Sequence, residues 1–191
     1  MNTTRAFIAI ALNEQLHKEL ACLQAKLKSS EADVKWVEPR NIHLTLKFLG
    51  NITDEQIGQV KNAIEKTASK FSVYSIHLAQ IGAFPKIEYP RVIWVGMDEG
   101  RKETTEIYKA LKQELSEIGF PEEERTFSPH LTLGRVRSLK NKQQLAKIME
   151  QEKNFNSTGR VLVTEIILFK STLKRTGSVY DPIFKGSLIK T

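Results

Sequence analysis

Two short stretches of this chain hold residue types that could do chemistry together. His43-Leu44-Thr45-Leu46 recurs as His130-Leu131-Thr132-Leu133, 87 positions apart, and the two copies use two of only four histidines. Each copy opens a β-rich run, and each run leads into a helical one. Side chains on a strand alternate faces. The imidazole and hydroxyl of each copy therefore share one face, and the leucines share the other. The leucines can anchor each strand to a core while the polar pair projects from it. Two such strands related by a pseudo-twofold axis would bring two imidazoles and two hydroxyls into one small volume.

That set suits phosphodiester chemistry. A neutral imidazole can take a proton from a nucleophile while an imidazolium opposite protonates the leaving oxygen. Histidine serves either role because its ordinary pKa is about 6.5. Threonine hydroxyls can donate to phosphoryl oxygens as charge builds there. A lone strand histidine beside a threonine is ordinarily just a half-buried polar residue; the pairing is what argues for a site. Zinc sites take three or four protein ligands, and neither copy has a neighbouring Asp, Glu, Cys or further His. The expectation is chemistry with no metal and no cofactor. His17 and His77 lack such a context and read as structural or exposed. The chain has no Walker loop, no Rossmann glycine pattern and no G-x-S-x-G elbow.

Charge adds a second clue. The chain has 29 Lys and Arg against 22 Asp and Glu, a net +7 over 191 residues. Between Arg125 and Lys147 there are six basic residues and no acidic one, and the second motif lies inside that stretch. Such a run is ordinarily a solvated face, but its position beside a phosphate site favours contact with an RNA backbone. Arg135 is the best candidate, since a guanidinium can grip phosphate bidentately. Strict alternation puts it on the face opposite His130, unless Gly134 permits a bulge. Phe84 and Trp94 could stack on a base, yet both sit in apolar runs that read as core.

The elements that must hold these residues follow from periodicity. Leu16, Leu20, Leu23 and Leu27 recur at helical spacing, as do Ile57, Val60, Ile64 and Phe71, then Ile107, Leu111, Leu115 and Ile118. A fourth helix is expected over Asn141–Glu152, with Leu145, Ile148 and Met149 inward. Thr53 with Gln56 forms a capping box. Strands are expected over Arg5–Ala11, Ile42–Leu49, Val73–Phe84, Arg91–Met97, His130–Val136, Val161–Leu173 and Val179–Leu188. A turn is expected at Thr176-Gly177-Ser178. Several consecutive strands have no helix between them, which predicts an α+β fold with mainly antiparallel sheets. Two pseudo-twofold-related halves would carry helices outside and a central cleft. No linker-like shift divides residues 1–191, so one bilobal domain is expected.

At the two motifs the chain resembles the two-histidine phosphoesterase superfamily, in particular its LigT-like RNA 2′,3′-cyclic phosphodiesterase branch, whose signature is a pair of H-x-T-x motifs. The resemblance takes in Arg5-Ala6-Phe7-Ile8-Ala9, Trp36 and Pro39, His43 to Gly50, Ser128 to Arg135, and Ser171, Gly177 and Tyr180. Lys170 departs from it, standing where many relatives have a second serine. The resemblance implies a bilobal fold with the motifs facing across a cleft. It implies opening of an RNA 2′,3′-cyclic phosphate to a 2′-phosphate, with His43 as proton donor to the 3′ oxygen and His130 as proton acceptor from water. Thr45 and Thr132 would hold the phosphate, with Arg135 in support. Some relatives are described as 2′-5′ RNA ligases.

Other classes stay in view: activity on 2′-5′-linked or other oligonucleotides, and a non-catalytic nucleotide- or RNA-binding module. Intact histidines and threonines in both motifs disfavour a mere binder. The one cysteine, Cys22, precludes an intramolecular disulfide framework. The longest apolar run near the start, Ala6–Leu12, is far too short to span a membrane and lacks a cleavage site. A monomeric cytoplasmic protein without a membrane partner is expected.

Overall fold

Nine strands and four helices make up the computed structural model, which describes residues 3–122, 126–175 and 177–190. In chain order they are β1 (Thr3–Ile10), α1 (Glu14–Lys28), β2 (Val34–Trp36), a 3-10 turn (Pro39–Asn41), β3 (Leu44–Thr53), α2 (Asp54–Ala68), β4 (Tyr74–Lys86) and β5 (Tyr89–Glu99). Then come α3 (Arg101–Glu117), β6 (Leu131–Val136), α4 (Lys142–Gln151), β7 (Asn156–Val163), β8 (Glu165–Lys174) and β9 (Gly177–Ser187). The helices form where the apolar spacing predicts. Leu16, Leu20, Leu23 and Leu27 of α1 are all buried, and Asn13 caps the helix by accepting from the Leu16 amide. The expected capping box opens α2, with Thr53 and Gln56 satisfying each other's backbone amides. Phe71 and Ile118 fall outside their helices, packing on the core from the segments that follow.

All pairings between these strands are antiparallel, in the order β7-β4-β5-β6-β3-β1-β8-β9, with β2 added beside β6. The order reads symmetrically about its middle: β6 answers β3, β5 answers β1, β4 answers β8 and β7 answers β9. The two sides meet at one residue pair, Leu44 against Leu131. Each of these leucines is the second residue of its motif, so the pseudo-twofold axis passes through the repeat itself. Both are fully buried, as the anchoring argument requires.

Three features depart from the sequence reading. The run Val161–Leu173 is two strands, broken at Thr164: β7 pairs β4, whereas β8 pairs β1. One residue thus links strands at opposite parts of the order, so the sheet curls until those parts adjoin. The halves also exchange strands, since β4 follows α2 yet pairs in the second half, and β8 returns to the first. Third, β2 and the 3-10 turn were not expected, being too short for a periodic signal. The expected turn 176–178 falls partly on Thr176, outside the described residues; Gly177 and Ser178 belong to β9, which pairs in hairpin fashion with β8. Arg125 also lies outside the described residues.

Candidate active site

His43 and His130 each stand one residue before their strand, and the same local device orients both. The Nδ1 of His43 bonds the Asn41 carbonyl at 2.8 Å, and the Nδ1 of His130 bonds the Ser128 carbonyl at 2.7 Å. A carbonyl can only accept, so Nδ1 carries hydrogen in both rings. Nε2 is left as the nitrogen that can exchange a proton. The supporting segments are themselves fixed. Asn41 donates its side-chain amide to the Ser178 carbonyl at 2.7 Å. Before His130, Pro129 is buried, and Phe127 stacks on Tyr108 of α3 with ring centroids 3.9 Å apart. In an antiparallel pair centred on Leu44 and Leu131, His43 lies toward Thr132 and His130 toward Thr45.

Both motif strands then bulge at the same place. Along β3, Ala9 faces Thr45 and Ile8 faces Lys47, leaving Leu46 as the extra residue. Along β6, Trp94 faces Thr132 and Ile93 faces Gly134, leaving Leu133 extra. An extra residue resets the alternation of everything after it. Val92 lies two residues from Trp94 on β5, so the two share a face; their partners Arg135 and Thr132 share it too. Arg135 is thus redirected to the side of Thr132, against the strict alternation expected from sequence. The equivalent residue of the first copy is Phe48, which the bulge sets on the side of Thr45, 64% exposed. Gly134 is required here: a Cβ on it would come 2.7 Å from Val34 Cγ1 and 3.0 Å from Trp36 Cε3 of β2.

Aromatic rings wall both histidines. Phe7 stacks on His43 with centroids 4.7 Å apart, and Tyr180 meets it edge-on at 5.4 Å. Phe84 meets His130 edge-on at 5.1 Å, with Trp94 at 6.4 Å. Phe84 and Trp94 are therefore site-lining residues and not the core residues expected: neither belongs to the buried apolar cluster. Beside His43 a cavity of about 140 Å³ is bounded by Phe7, His17, Arg40, Asn41, Phe169 and Tyr180. A larger groove of about 340 Å³ between α2 and α3 lies away from both motifs.

Burial lowers the pKa of both rings, because the charged form loses solvation. For His43 it outweighs the bond to Asn41, and His17 adds like-charge repulsion. For His130 it outweighs the bond to Ser128, and Arg135 lowers it further. His17, which reads from sequence as structural or exposed, has its Nε2 3.1 Å from the Ile42 carbonyl. His77 is buried near the start of β4, between Asp98 and the Ser157 carbonyl. Among the described residues no three His, Cys, Asp or Glu side chains converge as a metal cluster would require, and no described helix is long and apolar enough to cross a membrane.

The model of the family described as LigT like Phosphoesterase matches this chain twice, over residues 10–94 and 95–180. The chain belongs to that family. Each match holds one of the two motifs. Among curated LigT-like relatives, an RNA 2′,3′-cyclic phosphodiesterase of Methanothermobacter thermautotrophicus is 35% identical over 92% of this chain and 94% of its own. One of Methanocaldococcus jannaschii is 36% identical over 94% and 98%. The crystal structure of E. coli LigT complexed with 3′-AMP superposes with a TM-score of 0.77 at 24% identity, covering 98% of this chain and 99% of that one. That likeness speaks to the fold.

Proposed function

We propose that this LigT-like chain is an RNA 2′,3′-cyclic phosphodiesterase working by two-histidine acid–base chemistry. The observation that carries the reading is the symmetric pair of Nδ1-anchored histidines, each with its threonine, on strands that meet at Leu44 and Leu131. His130 Nε2 takes a proton from water as the water oxygen bonds phosphorus. The bond from phosphorus to the 3′ oxygen breaks, and His43 Nε2 gives that oxygen its proton. A 2′-phosphomonoester remains, and the two rings have exchanged protonation states. Thr45 and Thr132 donate to the non-bridging oxygens, and Arg135 offsets their charge. No step in this scheme calls on a metal. His43 is neutral-leaning in the free protein; an anionic phosphodiester beside it favours the imidazolium that the reaction needs.

The proposal includes residues 1–191 acting as one bilobal monomer, because each half contributes one histidine to a single cleft, and a cytoplasmic setting, which fits the single cysteine Cys22. Product analysis tests the activity. A short RNA bearing a 2′,3′-cyclic phosphate, incubated with the protein in EDTA, should give the 2′-phosphate. A 3′-phosphate product, or turnover abolished by EDTA, contradicts the scheme.

A further inference from the structure

The face of the sheet that carries Thr132 does not stop at His130. Trp94 faces Thr132, and Val92, on the same side, pairs with Phe84 of β4. Lys86 follows Phe84 by two residues along β4, across a register shift, and its partner across the hairpin is Tyr89. The strand that meets His130 at Phe84 therefore runs on to the hairpin end that holds Lys86 and Tyr89. The distance beyond Phe84 is about 7 Å, two residues of strand. Tyr89 is 61% exposed and does not pack on the core. Two cations hold its ring: Lys86 Nζ is 5.2 Å from the centroid, and Lys142 Nζ of α4 is 5.8 Å from it. Arg135 and its neighbour Lys35 of β2 extend the positive charge along the same strand edge. The turn of the hairpin adds one acid, the exposed Glu88.

An exposed aromatic ring between two ammonium groups, on the hairpin that reaches a phosphate site, has the composition of a single-strand nucleic-acid platform. Bases stack on the ring and phosphates pass over the cations. We infer that Tyr89, Lys86 and Lys142 bind the RNA chain 5′ of the reacting nucleotide, so that the preferred substrate is an oligonucleotide end and not a cyclic mononucleotide. This inference rests on the phosphodiesterase reading above and names its substrate class.

The test compares a cyclic mononucleotide with a short RNA oligomer ending in the same 2′,3′-cyclic phosphate. The oligomer should show the lower KM. Tyr89→Ala should raise the oligomer KM roughly tenfold, the size of effect expected for a lost base stack, and leave the mononucleotide kinetics unchanged. Tyr89→Phe should keep the oligomer KM. Lys86→Gln and Lys142→Gln should each reduce the salt dependence of oligomer binding, by a slope of about 0.7 for one single-strand phosphate contact. Equal KM values for the two substrates, or a Tyr89→Ala loss shared equally by both, would overturn the platform. If neither substrate turns over, the phosphodiesterase reading fails by itself. Fluorescence anisotropy with the unreactive 3′-hydroxyl oligomer then decides the platform: binding weakened by Tyr89→Ala supports it, and binding indifferent to Tyr89 removes it.

Discussion

His43 and His130 are held alike, yet the proposed chemistry asks opposite things of them. Both Nδ1 atoms are committed to carbonyls two residues back, so mutation can separate the roles at Nε2 without moving the strands. His43→Ala and His130→Ala should each lose about 10²–10⁴-fold in turnover, with circular dichroism unchanged because Leu44 and Leu131 still anchor β3 and β6. A substrate with sulfur in place of the 3′ oxygen leaves without needing a proton. It should restore part of the activity of His43→Ala and none of that of His130→Ala; the reverse pattern would exchange the assignments. Thr45→Val and Thr132→Val keep shape and strand propensity but delete a donor. Each should cost less than a histidine, about 2.7–4 kcal/mol at most in transition-state stabilisation. Unchanged kinetics in both variants would take the threonines out of the site.

At the scale of elements, the bulges and one buried clamp set where side chains go. In Gly134→Ala the new methyl meets Val34 and Trp36, so β2 must move from β6 or the bulge must shift. Melting temperature should fall, and activity should fall further than the melting loss explains, because Arg135 is displaced with the bulge. A variant as active as the parent would show that β2 gives way and the bulge holds Arg135 in place. The clamp is His77, whose two ring nitrogens bond Asp98 of β5 and the Ser157 carbonyl of β7, both at 2.7 Å. Burial opposes its charge, but those two bonds prevail and hold its pKa above the ordinary value, with Arg160 repelling weakly from β7. Arg160 is itself paired with Glu99. A raised folded pKa adds stability that is complete below the unfolded value near 6.5 and is lost as pH rises through the folded one. Chemical denaturation across pH 6–9 should show this decline, and His77→Gln should flatten it while lowering stability by about 1–3 kcal/mol. A decline of the same size in His77→Gln would assign it to other groups.

For the whole molecule, the pH dependence of catalysis belongs to both halves at once. Each lobe buries its histidine and lowers its pKa, and the active form needs one ring protonated and the other neutral. The bell in kcat/KM, which reports the free enzyme, should therefore peak on the acid side of the ordinary histidine value of 6.5. Bound phosphodiester adds negative charge between the rings and favours protonation of the acid. The alkaline limb of kcat should thus lie at higher pH than that of kcat/KM. The apparent pKa values belong to the coupled pair and not to either ring alone. Steady-state kinetics over pH 4–9 measure both limbs. A flat profile, with chemistry shown to limit the rate, would count against the pair.

Much of this was legible along the chain because it is local. The repeat at His43 and His130, the shared face of each His and Thr, the leucine anchors and the helices all follow from short-range periodicity, and neighbouring residues alone set that periodicity. The capping box at Thr53 and Gln56 is equally local. What only the tertiary structure decided are matters of register. Whether Arg135 joins Thr132 depends on an extra residue at Leu133, and a bulge is defined only against the partner strand β5. Phe84 and Trp94 sit in runs that read as core, yet they line the site, since a sheet curled around a cleft turns an apolar face toward the ligand as well as toward the helices. The division at Thr164 carries neither Gly nor Pro. It exists because β7 and β8 find partners in different halves, a choice made by pairing energies between residues far apart in sequence.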